Sequence, residues 1–306
     1  MFLGEGLKKV CSNPWLLLSF VLKQIAPIVP DKIQLSLLHK VYVGRLVNWE
    51  SPKTFTEKLQ WLKLYDRKPE YTQMVDKYAV KKYVAKIIGE EYIIPTLGVW
   101  DTPEDIDWEL LPQQFVLKTT HGGGSNGVWI CKDKSIFDRK KCLEEIHRSL
   151  KSDLYWKYRE WPYKDVPKRI IAEKYISETS KYEVPKDLDD YKFFCFNGAV
   201  KVFKIDFNRY INHQANYYTK DKKLLPFGEK VCPPDLQKVI CFPLNLDKMI
   251  ELSERLSHNI PFARIDFYSV NGRIYFGEIT FFPASGFGTF TSEKFNLQLG
   301  EMLLLP

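Results

Sequence analysis

Two Asn-Gly pairs, Asn197-Gly198 and Asn271-Gly272, each stand between runs dense in β-branched and aromatic residues. Asn and Gly tolerate positive φ at adjacent positions, which is what a tight turn between right-twisted antiparallel strands requires. Each pair therefore predicts a β-hairpin, with strands over 191–196 and 200–207 in one and over 262–270 and 273–281 in the other. Tight antiparallel hairpins with segregated helices exclude a doubly wound parallel sheet and place the chain in the α+β class.

Upstream, helical spacing dominates residues 31–90. Thr54-Phe55-Thr56-Glu57 opens a segment with Leu59, Leu62 and Tyr65 or Leu64 at helical intervals, and either threonine can cap it. A second helix over 76–88 carries Tyr78, Val80, Val84, Ile87 and Ile88 and stops at Gly89. From Tyr92 the texture changes. Residues 92–95 read as a short strand and 100–107 as a Pro- and Asp-rich connection. Strands follow over 115–118, 128–131 and 170–176, with a helix over 138–152 showing Leu143, Ile146 and Leu150 on one face. The apolar stretch 14–30 is interrupted by Lys23 and Gln24 and ended by Pro27 and Pro30, short of the about 20 residues a membrane span needs. It reads as an amphipathic helix packed on the body, or as a docking surface for a membrane or protein helped by Lys8, Lys9, Lys23 and Lys32.

In 306 residues, 45 Lys+Arg exceed 38 Asp+Glu, a net charge of +7 that favours anionic ligands without choosing among nucleotides, acidic sugars and lipid surfaces. The 45% hydrophobic content excludes a disordered chain. Six cysteines form no C-x-x-C pair and read as reduced cytosolic thiols. The five histidines show no zinc-ligand spacing, and neither His-Arg-Asp nor Asp-Phe-Gly occurs in a context suited to a protein kinase. Aromatic and lysine residues interleave over 155–168 without a nucleic-acid reader motif, so that stretch reads as a lobe surface or an acceptor groove for sugars, and no nucleic-acid partner is expected.

The run His121-Gly122-Gly123-Gly124-Ser125-Asn126-Gly127 lets consecutive backbone N–H groups converge on an anion. It lacks the Gly-Lys-Ser/Thr and following helix of a Walker-type phosphate loop. Its G-x-S-x-G match, with His213 or His258 downstream, also lacks the helix that a nucleophile elbow requires. With Lys118 ending the strand just before it, the loop reads as a mobile flap over nucleotide phosphates, the alternative being a plain flexible hairpin loop.

The second constellation is Arg264-Ile265-Asp266 and Gly277-Glu278-Ile279-Thr280, on either side of Asn271-Gly272. Buried carboxylates on neighbouring strands are costly unless paired or bound to a metal, and hard oxygen ligands suit Mg²⁺. Parity decides whether they meet. A two-residue loop with no other bulge puts Asp266 and Glu278 on opposite faces. A three-residue loop of Val270, Asn271 and Gly272 puts Asp266, Glu278 and Thr280 together, so that loop is the expectation.

In order and spacing, these stretches resemble the TupA-like branch of the ATP-grasp superfamily, from about Pro52 to the C-terminal Leu-Pro. They are the run 52–63, Asp76-Lys77-Tyr78, Phe115-Val116-Leu117-Lys118, Ile171 to Ile176, Asp190-Tyr191-Lys192-Phe193 and the acidic hairpin. The resemblance implies an ATP-grasp fold, with antiparallel sheets and helices in interlocked lobes behind an N-terminal helical region. Its expected divisions are 1–75 (helical), 76–114 (pre-grasp), 115–178 (lobe with the flap) and 179–306 (lobe with the metal site). It implies ATP and Mg²⁺ as cofactors, with Lys77 and Lys118 on the α- and β-phosphates and Gly123, Gly124 and Ser125 closing over the β- and γ-phosphates. Glu173, Lys174 and Ile176 form the adenine hinge, Asp190 meets the ribose and Lys192 points to the phosphates. Asp266, Glu278 and Thr280 hold metal, Thr280 standing where the superfamily usually has Asn, and Arg264 stabilises an acyl phosphate. Residues 283–286 follow where substrate-side backbone donors lie.

The activity so implied is an ATP-dependent carboxylate–amine ligase. Its substrates would be small-molecule or saccharide acids and amines destined for bacterial capsule or other cell-surface polysaccharide. It would work in the cytoplasm, with peripheral contact to an anionic polymer or the inner face of the membrane as a further expectation. The competing reading is a polysaccharide glycosyltransferase using a nucleotide-sugar, for which Asp187-Leu188-Asp189 and Asp105-Ile106-Asp107 are the nearest D-x-D approximations.

Overall fold

The structure, a computed structural model, describes residues 15–124, 127–177, 188–208 and 212–306. Among the described residues five helices lead: α1 (Trp15–Gln24), α2 (Asp31–Val43), α3 (Phe55–Tyr65), α4 (Glu70–Val75) and α5 (Ala79–Ile88). The first sheet comprises β1 (Thr96–Trp100), β2 (Phe115–Thr119), β3 (Val128–Cys131) and β4 (Ile170–Lys174), in the order β1-β4-β2-β3. Helices α6 (Arg139–Leu150) and α7 (Leu154–Tyr158) lie between β3 and β4 in the chain. The second sheet comprises β5 (Asp190–Phe196), β6 (Ala199–Phe207), β7 (Gln214–Thr219), β8 (Phe262–Val270) and β9 (Arg273–Thr280), in the order β7-β6-β5-β8-β9. Helix α8 (Leu246–Leu256) precedes β8 and α9 (Glu293–Met302) closes the chain. Every pairing is antiparallel. The α+β class expected from the sequence is present, as two antiparallel sheets with helices before, between and after their strands.

Both Asn-Gly pairs form two-residue turns with positive φ at both positions, 50° and 80° at Asn197-Gly198 and 51° and 77° at Asn271-Gly272. Val270 pairs directly with Arg273, so the three-residue loop expected there is not formed. The parity comes instead from a bulge further along the hairpin. Phe267 pairs with Phe276 and Asp266 with Glu278, which leaves Gly277 as the extra residue and returns Glu278 to the face of Asp266. A Cβ at Gly277 would stand 3.1 Å from the Asp266 carbonyl oxygen and 3.2 Å from the Tyr268 ring.

Thr54 is the cap of α3. Its hydroxyl accepts from the Glu57 amide, and Glu57 accepts from the Thr54 amide, a full capping box. The next long helix begins at Ala79 rather than Asp76, and Asp76 Oδ1 accepts the amides of Tyr78 and Ala79 in the turn that leads into it. Residues 92–95 are not a strand. Pro95 has no N–H to give a ladder, and β1 begins one residue later.

One face of the second sheet carries Phe193, Phe203, Ile205, Ile265 and Phe267, buried with Val84 of α5 and Met249, Leu252 and Leu256 of α8. The other face changes character along the strands. Toward Phe196 it is aromatic, with Phe55 of α3 against Phe262 at 4.9 Å and Phe295 of α9 against Tyr217 at 5.3 Å. Toward Asp190 it is charged. The first sheet has its own core, where Phe115, Leu117, Ile170 and Ala172 meet Cys142 and Ile146 of α6.

One side of α1 packs on the body, with Leu22 buried beside Leu35 and Leu38, while Leu17, Phe20 and Val21 are exposed. Arg159 anchors the segment after α1 by donating to the carbonyls of Ala26 and Val29 and pairing with Asp31. No described helix is long and apolar enough to cross a membrane.

Helix α9 lies so close to the start of α3 that a Cβ at Gly300 would sit 2.1 Å from the Lys53 carbonyl oxygen and 2.8 Å from the Phe55 amide nitrogen. Helix propensity alone favours alanine there by about 1 kcal/mol. The backbone clash dominates, so Gly300→Ala is expected to destabilise the protein by about 1–3 kcal/mol, read from urea unfolding midpoints. A variant as stable as the parent would contradict this packing.

Candidate active site

The two sheets enclose a cleft of about 720 Å³. Alternation along β2 and β4 decides what faces it. Phe115 and Leu117 turn to the lobe core, whereas Val116, Lys118 and Glu173 line the cleft. Ile94, Ile130 and Phe276 add apolar wall, and Tyr175, Ile176 and Ser177 follow β4 along its edge.

Three lysines converge at one end. Lys118 lies 2.5 Å from Glu173 Oε2, and Lys81 pairs with the other oxygen of the same carboxylate while donating to the Ile94 carbonyl at 2.6 Å. Burial pushes the Glu173 carboxyl up, but Lys118 and Lys81 outweigh it and hold the pKa below its ordinary value. Lys77 donates to the Gly122 carbonyl, and its amide donates to the Thr120 carbonyl at 3.0 Å, fastening the start of α5 to the glycine-rich loop. Burial lowers the Lys77 pKa, with Glu278 opposing. The Lys174 amide donates to the Pro95 carbonyl at 3.0 Å and is not available to a nucleobase, while Ile176 lies on the cleft wall.

The loop returns as a hairpin. Thr119 N–H donates to the Gly127 carbonyl at 2.9 Å, and β3 begins at Val128, so no helix follows as a nucleophile elbow would demand. Gly124 lines the cleft. Gly123 approaches α7, where an added Cβ would be 3.0 Å from Leu154. Ser125, expected in the flap, lies outside the described residues, as do Asp187 and the lysines at 8 and 9.

Opposite the lysines is the charged end of the second sheet. Arg264 forms a bidentate pair with Asp266, 2.7 Å at each oxygen, and reaches Glu278 at 2.8 Å and Thr280 Oγ1 at 3.1 Å. Thr280 donates to Glu278 at 3.1 Å. Lys192 lies 3.0 Å from Asp266 and 3.4 Å from Asp206, and also pairs with Asp190, whose carboxylate the resemblance had assigned to ribose. Burial disfavours the charge on Lys192, but Asp190, Asp266 and Asp206 together raise its pKa. Burial pushes Glu278 up, yet Arg264, Lys77 and Lys192 hold its pKa down to about 2. Asp266, more deeply enclosed, is pushed up by burial against the pull of Arg264 and Lys192.

Asp266, Glu278 and Thr280 thus share one face and present hard oxygen donors, the chemistry that suits Mg²⁺. A divalent cation there competes with Arg264 for the same oxygens. Just past β9, Ala284, Ser285 and Gly286 have φ of 49°, 52° and 70°, three successive left-handed residues. The carbonyls of Ser285 and Gly286 are held by Lys63 at 2.5 Å and Gln60 at 2.6 Å.

Sequence reasoning missed Lys81, although its i+4 spacing from Lys77 places both on one side of a helix start. It also missed Lys204 and Asp206, which share the charged face through the strand alternation of β6. The D-x-D approximation at 105–107 is spent locally. Asp105 accepts from the Thr102 hydroxyl and Asp107 from the amides of Glu109 and Leu110, and neither lines the cleft.

A family model described as TupA-like ATPgrasp matches residues 57–304, and the chain belongs to that family. Solved structures similar to it in fold include the D-alanine–D-alanine ligase of Bacillus anthracis complexed with ATP, at 15% identity, covering 75% of this chain and 63% of that one with a TM-score of 0.41. The D-alanine–D-alanine ligase of Helicobacter pylori matches at 15% identity, over 81% and 69%, with a TM-score of 0.40. A RimK domain ATP-grasp protein of Sphaerobacter thermophilus DSM 20745 matches at 11%, over 76% and 67%, with a TM-score of 0.40. The chain spans less than two thirds of the length of the Bacillus anthracis ligase. Comparison with curated proteins finds no match.

Deleting Gly277 removes the bulge and turns Glu278 to the opposite face. Mg²⁺-dependent binding of a fluorescent ATP analogue is expected to disappear while far-UV circular dichroism is kept; undiminished binding would dissociate the bulge from the site. Glu278, ordinarily near 4.5 and held at about 2, contributes stability that is complete above its unfolded value and lost as pH falls toward 2. Thermal melts of Glu278→Gln should therefore show a flatter acid limb between about pH 4.5 and 2 than the parent.

Proposed function

We propose that this protein is an ATP-dependent carboxylate–amine ligase. The observation that carries the reading is the juxtaposition of Lys77 and Lys118 on one side of the cleft with Arg264, Asp266 and Glu278 on the other, Thr280 being hydrogen-bonded to Arg264 and Glu278. The apolar wall of Val116, Ile130 and Phe276 suits a base, and the lysines suit a polyphosphate, because a point-like ammonium can serve several oxygens. Mg²⁺ held by Asp266, Glu278 and Thr280 would offset charge on the β- and γ-phosphates.

In the reaction, a substrate carboxylate oxygen bonds to the γ-phosphorus as the bond to the ADP oxygen breaks. An amine nitrogen then bonds to the carbonyl carbon, phosphate leaves, and the nitrogen gives up a proton to form the amide. No protein nucleophile is needed. The chain contributes positioning and charge. Lys118 and Lys192 flank the transferred group. Arg264, fixed in orientation by its bidentate pair, meets the charge that grows on the acyl phosphate and the tetrahedral state, a role worth about 2–4 kcal/mol.

By analogy with the family, the acid or amine is a uronic acid, amino sugar or amino acid bound for a cell-surface polysaccharide. Such a ligase works where ATP is held, in the cytoplasm. The exposed Leu17, Phe20 and Val21 of α1 support peripheral contact with a membrane or an assembly partner.

The test is ADP release from Mg²⁺-ATP with pooled uronic acids, amino acids and sugar amines. Release that requires both an acid and an amine is expected, whereas UDP release from a sugar nucleotide would replace this reading with glycosyl transfer. Lys118→Ala should lower turnover at least about 10²-fold while the far-UV circular dichroism of the folded protein is kept. Parental activity in that variant would refute its place on the phosphates.

A further inference from the structure

Beyond the charged face, a second cluster stands on the far side of Asp206 from the cleft. Asp206 is the penultimate residue of β6, His213 precedes β7 and Cys232 follows in the connection to α8. The carboxylate oxygen, ring nitrogen and sulfur that they offer all lie within 4.8 Å of one another. Asp206 and Cys232 are buried, and His213 is partly exposed.

The spacing within the cluster is telling. His213 Nε2 and Asp206 Oδ1 are 3.4 Å apart, longer than the about 2.7–3.2 Å of a good N–H···O bond, and neither atom has a hydrogen-bond partner among the described residues. Two ligands held at about 2.0–2.1 Å from one tetrahedral ion stand roughly 3.3–3.4 Å apart, which is this separation. Nitrogen, thiolate and carboxylate together select a borderline transition metal over Mg²⁺ or Ca²⁺.

The surroundings balance the charge. Glu229 Oε2 lies 3.1 Å from Cys232 Sγ, and Glu229 is oriented by the Tyr217 hydroxyl at 2.6 Å and by Lys204 at 3.2 Å. Lys204 also reaches Asp206 at 3.4 Å. Lys192 and Lys204 both face the Asp206 carboxylate, and the Cys232 thiol donates to Glu229. Conserving the orientation of ligands by such outer partners is how metal sites are held.

We propose that Asp206, His213 and Cys232 bind a divalent transition-metal ion, Zn²⁺ by its donor set, at a site separate from the Mg²⁺-nucleotide centre. The ion ties the 212–213 and 227–235 segments to the end of β6. Its carboxylate ligand shows its other oxygen to Lys192 at 3.4 Å, so the metal braces the floor of the cleft from behind.

The test uses the full chain, stripped with chelator, kept reduced and titrated with Co²⁺. Uptake of one equivalent with a thiolate-to-cobalt charge-transfer band in the near ultraviolet is expected, and Zn²⁺ should bleach it. Cys232→Ser should abolish the band, and His213→Gln, at a partly exposed position, should weaken binding by at least the roughly 10- to 100-fold that even an outer partner is worth. Cys241→Ser, at an exposed cysteine outside the cluster, should change nothing. Absence of the band in the folded parent, or its survival in Cys232→Ser, would overturn the site. None of these outcomes depends on ATP turnover, so the ligase reading and the metal site stand or fall separately.

Discussion

Strand parity in the last hairpin governs everything the cleft can do. Side chains alternate across a sheet with a period of two, so one added residue exchanges the faces of all that follow it. The turn at Asn271-Gly272 has the type I′ geometry that its sequence favours, and that turn alone would separate Asp266 from Glu278. Gly277 corrects the count, and it is glycine because the Asp266 carbonyl and the Tyr268 ring leave little room for a side chain. The bulge stands immediately beside the acidic pair, where such irregularities re-aim functional groups.

Once parity is set, a row of charges runs across β6, β5, β8 and β9: Lys204, Lys192, Asp266 and Glu278 in register, flanked by Asp206, Asp190 and Arg264. Taking such groups out of water costs several kcal/mol per ion, and their mutual attraction repays that only with good geometry. Removing one partner from such a buried set typically costs about 3–5 kcal/mol. The charged row by itself therefore adds little to the stability of the fold. A few residues along, the same face becomes Phe194, Phe196 and Phe262 and packs on α3 and α9.

The lobes communicate through short polar ties. Lys77 fastens α5 to the loop of the first sheet, and Lys81 and Lys118 share Glu173. Because α3, α4 and α5 bury Leu59, Met74 and Val84 in the core of the second sheet, the helices position these lysines relative to the acidic hairpin. Polyphosphate binding would exchange the Glu173 pairing for contacts with ligand oxygens, a substitution of one anion for another at the same ammonium groups.

Much of this was legible in the residues. The Asn-Gly turns, the alternation of β2 and β5 and the Thr54 capping box are local devices whose outcome depends on neighbours in the chain. The helical spacing of Leu246, Met249, Ile250, Ser253 and Leu256 marks α8 in the same way. The order and spacing of the motifs carried the resemblance to the family, and that resemblance nominated Lys77, Lys118, Lys192, Arg264, Asp266 and Glu278. What only the tertiary structure decided is non-local. The place of the bulge depends on which residue the partner strand can tolerate, and the sharing of Glu173 by Lys81 and Lys118 depends on how α5 docks. The meeting of Asp206, His213 and Cys232 depends on a connection folding back on a sheet edge. Turn chemistry acts over a few bonds and is written in sequence; the encounter of distant side chains is set by packing, and exists only once the chain has closed on itself.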